Sequence, residues 1–259
     1  MIGTLAPVTI RQRAGTYALT PASGVSLTAI AEHQALLRGS GIDWGCGTGC
    51  LAIVAAKISA VEAVVGLDSS ELDVRVAAEN AAVNGVDGKT TFLHADSYHP
   101  NTRQGREALV MLRGKVDFVL ANPPASRGDD GFSFRREVLT GAREFLKGEA
   151  VVLVQISIQY SQKRIDLLTQ IPGFRYAGCL ATTPWVPFDQ DRSDLRQHLV
   201  DYAAEEWRGG LDYTFGDPRN CGRTFIDART ALDLFRQTGM SPLSQWQVHL
   251  FRYERGSSG

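Results

Sequence analysis

The chain has 259 residues, 44% of them apolar, which is enough to bury a sizeable core, and it reads as one α/β domain over residues 1–255. A formal net charge of −1 with 21% charged residues excludes a chain-wide basic track for nucleic acid or an anionic membrane surface, and leaves only local patches open. The four cysteines, Cys46, Cys50, Cys179 and Cys221, form no CxxC pair; this argues against a disulfide framework or a structural zinc site and for a reducing, cytoplasmic setting.

The opening residues hold no apolar core of signal-peptide length, and no stretch reaches the roughly 18 apolar residues needed to span a bilayer, so a water-soluble protein is expected. After an N-terminal extension, residues 23–41 have helical spacing and stop at Gly39 and Gly41. Residues 1–40 therefore form an extension and a helix. The order that follows is regular: a strand at "GIDWG", a helix over "GCLAIVAAKIS", a strand "AVVGLD", a helix "SELDVRVAAENAAVNG", a strand "TTFLHA", a helix near "TRQGREALVMLRG" and a buried strand "VDFVLA". A helix "SFRREVLTGAREFLKG", a strand "AVVLVQISI", a helix "QKRIDLLTQI" and a strand "GFRYAGCLATT" complete a core over residues 41–182. Strands alternating with helices predict a Rossmann-like, seven-stranded mixed sheet covered on both faces.

About sixty residues then intervene before the closing strand "WQVHLFRYER" at 244–255, far more than an ordinary connection. Residues 183–243 are read as a helical insertion and substrate lid. It holds two helical stretches, one with Leu195, Leu199, Tyr202 and Trp207 on a face and one with Phe225, Ile226, Leu232 and Phe235. Residues 256–259, Gly-Ser-Ser-Gly, have the composition of a flexible tail.

Three strand ends carry chemistry. Gly45, Gly47 and Gly49 in "IDWGCGTGCLAI" permit a tight strand-to-helix turn and close approach of a ligand to bare backbone. The run is G-x-G-x-G, neither a dinucleotide fingerprint nor a phosphate loop. Asp68 ends the second strand, where a carboxylate can accept from both hydroxyls of a ribose, and Asp96 ends the third, where one can receive an exocyclic amine. "NPPAS" follows the fourth strand: Asn122 is locked by Pro123 and Pro124, each proline steering the residue before it away from the helical region. An Asn-Pro turn and an acceptor site are both open from these residues alone.

Together "IDWGCGTG", "VVGLDSSELDVRVAAENAAVNG", "LHADSY" and "DFVLANPP" resemble the class I S-adenosylmethionine-dependent methyltransferases over roughly residues 16 to 160. The Asn-Pro-Pro is similar to that of the small-domain enzymes that methylate planar nitrogens, such as release-factor glutamine and rRNA or tRNA amine methyltransferases. The resemblance implies S-adenosyl-L-methionine as cofactor, with S-adenosyl-L-homocysteine as product and no metal. It implies that Gly45, Cys46, Gly47 and Gly49 hold the methionine part, Asp68 with Ser69 the ribose, and Asp96 with Ser97 the adenine edge. Asp43 would orient the loop or the cofactor's ammonium, and Asn122 would touch both cofactor and acceptor. Asn122, Pro123 and Pro124 are the expected catalytic residues. The Asn122 side-chain oxygen and the Pro123 carbonyl can each take one N–H of an amide or aromatic amine, turning its lone pair toward the methyl group.

The family usually places Tyr or Phe after Asn-Pro-Pro, and this chain has Ala125. A ring over the acceptor then has to come from elsewhere, with Phe132, Phe134, Trp185 and Phe188 as candidates. Arg135 and Arg136 read as a solvated helix face, and Asp129 and Asp130 as a polar loop or, with Gly128 and Gly131, a lid. The expected function is methyl transfer to a nitrogen of a protein or RNA. A small-molecule N- or O-methyltransferase and a cofactor-binding partner subunit without catalysis are the alternatives.

Overall fold

Thr20 starts the first helix. Its hydroxyl accepts from the Ser23 amide while the Ser23 hydroxyl accepts from the Thr20 amide, and Pro21 fills the first helical position, so α1 (Pro21–Glu32) is fixed at its N-terminus. The computed structural model describes residues 5–17, 19–126 and 129–255; the tail at 256–259 and Gly128 of the expected lid lie outside the described residues. The helix expected over 23–41 ends at His33 and becomes a short 3-10 turn at 34–36, because the chain must turn there to bring Gly39 against Val61.

The elements that follow are β1 (Gly39–Trp44), α2 (Cys50–Ala56), β2 (Val61–Asp68), α3 (Glu71–Val83), β3 (Thr90–Asp96), the two-residue β4 (His99–Pro100), α4 (Arg103–Val110), β5 (Val116–Ala121), α5 (Ser133–Ala142), β6 (Leu146–Ser157), α6 (Ser161–Leu168) and β7 (Phe174–Thr182). Helix α5 stops six residues short of the expected Gly148. The Glu144 and Phe145 carbonyls accept from Gly114 and Val116 instead, which draws Leu146 into the sheet beside Val116.

The main sheet has the order β4-β3-β2-β1-β5-β6-β12-β7, where β12 is the closing strand Trp246–Tyr253. Pairings from β3 through β6 are parallel, and β12 runs antiparallel to both β6 and β7. This is the expected seven-stranded mixed sheet, extended at one edge by β4. Strand order reverses between β1 and β5, which opens a crevice at the carboxyl ends of these strands. Phe118, Leu120, Val151 and Leu153 face a core shared with α1 and α2, whereas Val119, Ala121, Val152 and Val154 face one shared with α5 and α6. Burial on both faces is why these strands read as continuous apolar runs.

Between β7 and β12 the chain forms β8 (Val186–Pro187), α7 (Ser193–Trp207), β9 (Phe215–Gly216), β10 (Phe225–Ile226), α8 (Ala228–Thr238) and β11 (Leu243–Ser244). The two helices were expected; the small sheet of order β10-β9-β11-β8 was not, since two-residue strands carry no periodicity. Phe225 accordingly sits in β10, 61% exposed and beside Trp185, and Trp207 is 57% exposed, so neither belongs to the apolar helix face assigned from spacing. Leu199, Tyr202, Phe215 and Leu232 join the same apolar cluster as α5 and α6.

Glu206 of α7 ties this region together. Its fully buried carboxylate accepts from the amides of Tyr213, Ala228 and Arg229 and pairs with the Arg229 side chain, which caps the start of α8. Glu206→Ala leaves these donors unpaired, and urea unfolding is expected to show a loss of about 3 kcal/mol or more. An unchanged midpoint would contradict this role.

Candidate active site

The strand-to-helix turn after β1 is held by backbone. Gly45 and Cys46 donate to the Leu67 carbonyl at 2.9 and 3.0 Å, and Gly47 donates to Asp68 Oδ2 at 2.8 Å. Gly45 has φ 67°, and a Cβ there would meet no atom within 4 Å, so bare backbone faces open space on the cavity wall. Gly49 has φ 85° and caps α2; its own Cβ would stand 3.0 Å from Ala77, so this glycine is needed for packing and is not on the wall.

The open space is a cavity of about 400 Å³ at the carboxyl ends of β1, β2, β3 and β5. Gly45, Cys46, Gly47, Asp68, Ser69, Asp96, Ser97 and Asn122 line it, as does Pro124. Asp68 is committed on both oxygens: Oδ2 to Gly47 and Oδ1 to Ser70, both at 2.8 Å. Burial pushes its carboxyl above the usual range, opposed by those two amides and reinforced by nearby Asp73. Ser97, at φ 53°, accepts from the indole N–H of Trp44 at 2.9 Å.

Three expected site residues fall off this wall. Gly49 is the first. Asp43 is fully buried beneath the loop, where Oδ2 accepts from the Ala52 amide at 2.9 Å and Oδ1 meets no donor among the described residues, so it anchors α2 to the turn and does not line the cavity. Pro123 faces a second cavity instead. Cys46 and Cys50 are neutral packing thiols, burial holding the first well above its ordinary range and the second at about 12.

The second cavity, about 770 Å³, lies between the Asn-Pro-Pro loop, the end of β6 and residues 186–202. Asn122, Pro124, Phe134 and Tyr17 line both cavities, so the two meet there. Asn122 Nδ2 points to Ser23 Oγ at 3.4 Å, and its Oδ1 makes no hydrogen bond among the described residues. Of the candidate rings, Phe134 lines both spaces and Phe188 the second; Phe132 is wholly buried against Tyr160, and Trp185 packs on Gly216 and Gly222 in the small sheet.

The arginine pair is not a solvated face. Arg135 is 2% exposed with its guanidinium on the Pro123 and Pro124 carbonyls, and Arg136 forms a two-point ion pair with Asp130. Asp129 accepts from Ser126 and Gly131, closing the loop on itself. Spacing also gave no sign of the N-terminal arm's fastening. Asn80 of α3 and Asn84, which caps its C-terminus, exchange hydrogen bonds with the backbone of Arg11 and Thr9, Asn80 also donates to the Thr48 carbonyl of the glycine turn, and Asp73 accepts from the Tyr17 amide. The signal that could have been read is the pair of asparagines at i and i+4 across the end of that helix.

Burial, reinforced by Asp68 and partly opposed by the Ala52 amide, raises the Asp43 carboxyl to about 8 from an ordinary 3.8. The folded state therefore holds a proton that the unfolded state has released between these values, and the associated stability is complete below about 4 and lost as pH rises through about 8. Asp43→Asn removes this dependence. Thermal midpoints of the two proteins are expected to diverge, in favour of the variant, between pH 5 and 9; parallel curves would refute the assignment.

Among the described residues no group of three or more His, Cys, Asp or Glu is placed to hold a metal, and no helix is long and apolar enough to cross a membrane. The sequence profile of the family described as methyltransferase small domain matches residues 8–173. The release factor glutamine methyltransferase of Thermodesulfovibrio yellowstonii is 22% identical over 169 residues, covering 60% of this chain and 60% of that protein. The ribosomal protein L11 methyltransferase of Chromobacterium violaceum is 37% identical over 122 residues, covering 47% of this chain and 36% of that protein. The chain thus spans well under the full length of either relative. A methyltransferase from Pyrococcus furiosus superposes with a TM-score of 0.51 at 12% identity, covering 95% of this chain and 89% of that one, a likeness of fold alone. With the profile spanning well over half of its residues, the chain belongs to the methyltransferase small domain family.

Proposed function

We propose that this chain is an S-adenosylmethionine-dependent methyltransferase acting on a nitrogen, an amide or exocyclic amine of a protein or RNA. The observation that carries the reading is the meeting of two cavities at Asn122 and Pro124, one lined by strand-end carboxylates and bare glycine backbone, the other by amides and rings. The residues of the first fit the cofactor. An ionised carboxylate offers about four acceptor positions, and the two backbone amides on Asp68 leave two for the hydroxyls of a ribose. Asp96 and Ser97 suit the adenine edge, and the bare Gly45 backbone suits the methionine part. The bound cofactor supplies an electrophilic methyl on a sulfonium. Asn122 Oδ1, without a hydrogen-bond partner among the described residues, would accept an N–H of the incoming nitrogen and hold its lone pair in line.

The names of the relatives, which act on a release factor and a ribosomal protein, support a protein acceptor. Residues 41–182 would form the cofactor-binding core and residues 183–243 a lid over the acceptor, with 1–40 across the cofactor. Four unpaired cysteines, two of them buried, suit a reducing cytoplasm. One observation favours a second reading, a small-molecule acceptor: the second cavity is walled by Phe188, Leu195, His198 and Tyr202, while Ala125 leaves no ring on the loop. Calorimetric titration with S-adenosylmethionine and S-adenosylhomocysteine, followed by labelled methyl transfer to protein, RNA and metabolite fractions, tests both. Label in protein or RNA supports the first, label in metabolites the second, and tight binding without transfer would leave only a cofactor-binding subunit.

A further inference from the structure

We infer that Arg135 is a positioning residue, a buried cation that sets the backbone of the Asn-Pro-Pro loop and so presents Asn122 at the junction of the cavities. The inference rests on the methyltransferase reading above. Arg135 lies in the first turn of α5, and its hydrogen bonds among the described residues all go to neutral oxygens. Nη2 donates to the Pro123 carbonyl at 2.9 Å and to Gln155 Oε1 at 3.3 Å; Nη1 donates to the carbonyls of Pro124 at 2.8 Å and Gly131 at 3.3 Å; Nε donates to the Gln155 carbonyl at 3.3 Å. No carboxylate pairs with it among the described residues. The Tyr160 and Phe132 rings lie 4.9 and 5.8 Å from its guanidinium carbon.

A buried arginine without a counter-ion is uncommon, since removal from water is costly unless its donors are satisfied. The loop explains it. Two successive prolines lack amide hydrogens and belong to no ladder, yet each brings a carbonyl into a confined place where an unpaired acceptor is destabilising. A planar fork of donors reaches both from one side, and a lysine, with a single point of attachment, cannot hold them in the same plane. The consequence reaches the acceptor: the Pro123 oxygen already carries a charge-assisted bond, so Asn122 Oδ1 is the stronger of the two acceptors left for an incoming nitrogen. Arg136 has a separate task, since its partner is Asp130 on the outer part of the loop.

The test compares wild type with Arg135→Lys and Arg135→Met, the second keeping bulk without donors. S-adenosylhomocysteine affinity is measured by calorimetry. Maximal rate and half-saturation are measured with labelled S-adenosylmethionine and undermethylated total protein and RNA. The expected result is a fall in maximal rate of roughly 10-fold for Lys and 100-fold or more for Met, with cofactor affinity within threefold of wild type, because the glycine turn and Asp68 do not touch Arg135. Rates within threefold of wild type in both variants would overturn the positioning role and leave the methyltransferase reading intact. Cofactor affinity falling in parallel with rate would also overturn it, reducing Arg135 to a stabilising residue. Failure of wild type to bind or transfer would overturn the reading itself.

Discussion

Asn122→Ala is expected to lower the maximal rate of methyl transfer roughly 10²–10³-fold while leaving the dissociation constant for S-adenosylmethionine within threefold. The asymmetry follows from geometry. Asn122 borders the first cavity, and its side-chain hydrogen bond among the described residues goes to Ser23 of α1 and not to the glycine turn, Asp68 or Ser97, so these keep their arrangement without it. What is lost is the acceptor facing the incoming nitrogen. An amide or aromatic amine has its lone pair delocalised, and a hydrogen bond that strengthens as the nitrogen gains positive charge acts mainly in the transition state. The expected loss corresponds to about 3–4 kcal/mol of barrier. Single-turnover rates at saturating acceptor would measure it, and a variant impaired only in half-saturation would show that Asn122 binds without orienting.

The second large effect falls on the cofactor. Asp68→Ala is expected to weaken S-adenosylhomocysteine binding roughly 100-fold or more, since on the proposed reading it would remove two charge-assisted bonds to ribose hydroxyls, each of about 1.5–3 kcal/mol, and it also releases the Gly47 amide. Asp68→Asn, retaining one acceptor oxygen, should fall between. Because burial raises the Asp68 carboxyl, wild-type affinity is expected to decline on acidification at a higher pH than an exposed aspartate would give. Calorimetry across pH would decide. Equal affinities for the three proteins would mean that Asp68 serves only to brace the turn through Gly47 and Ser70.

Where the sequence was legible, one local rule sufficed. "VDFVLA" reads as a strand because both faces of a parallel sheet are buried, and the three glycines read as a turn because several strand ends converge on it. Arg135 was misread because nothing in "SFRREV" shows that Pro123, Pro124 and Gln155 surround it; its environment is made by partners 11 to 20 residues away. For Asp43 two roles were open, orienting the loop or meeting the cofactor's ammonium, and residue order could not choose between them; the side chain turns under the loop and holds the Ala52 amide. Tyr17 lies outside every motif, and Trp44 lies within the glycine motif but was given no role there. Their place on the wall depends on Asp73 and Ser97, which only the fold brings near.

The insertion of β12 between β6 and β7 has a consequence for how the molecule is assembled. β7 touches the sheet through β12 alone, and β12 is separated from it by the whole of residues 183–245. Until that last strand is available, β6 shows an open edge of buried-type residues and β7 has no ladder to join, so the half of the sheet beside the second cavity cannot close before it arrives. An early compact state would hold β1, β2, β3 and β5 with their turn already shaped, while the edge that supports the second cavity remains prone to pairing with another chain.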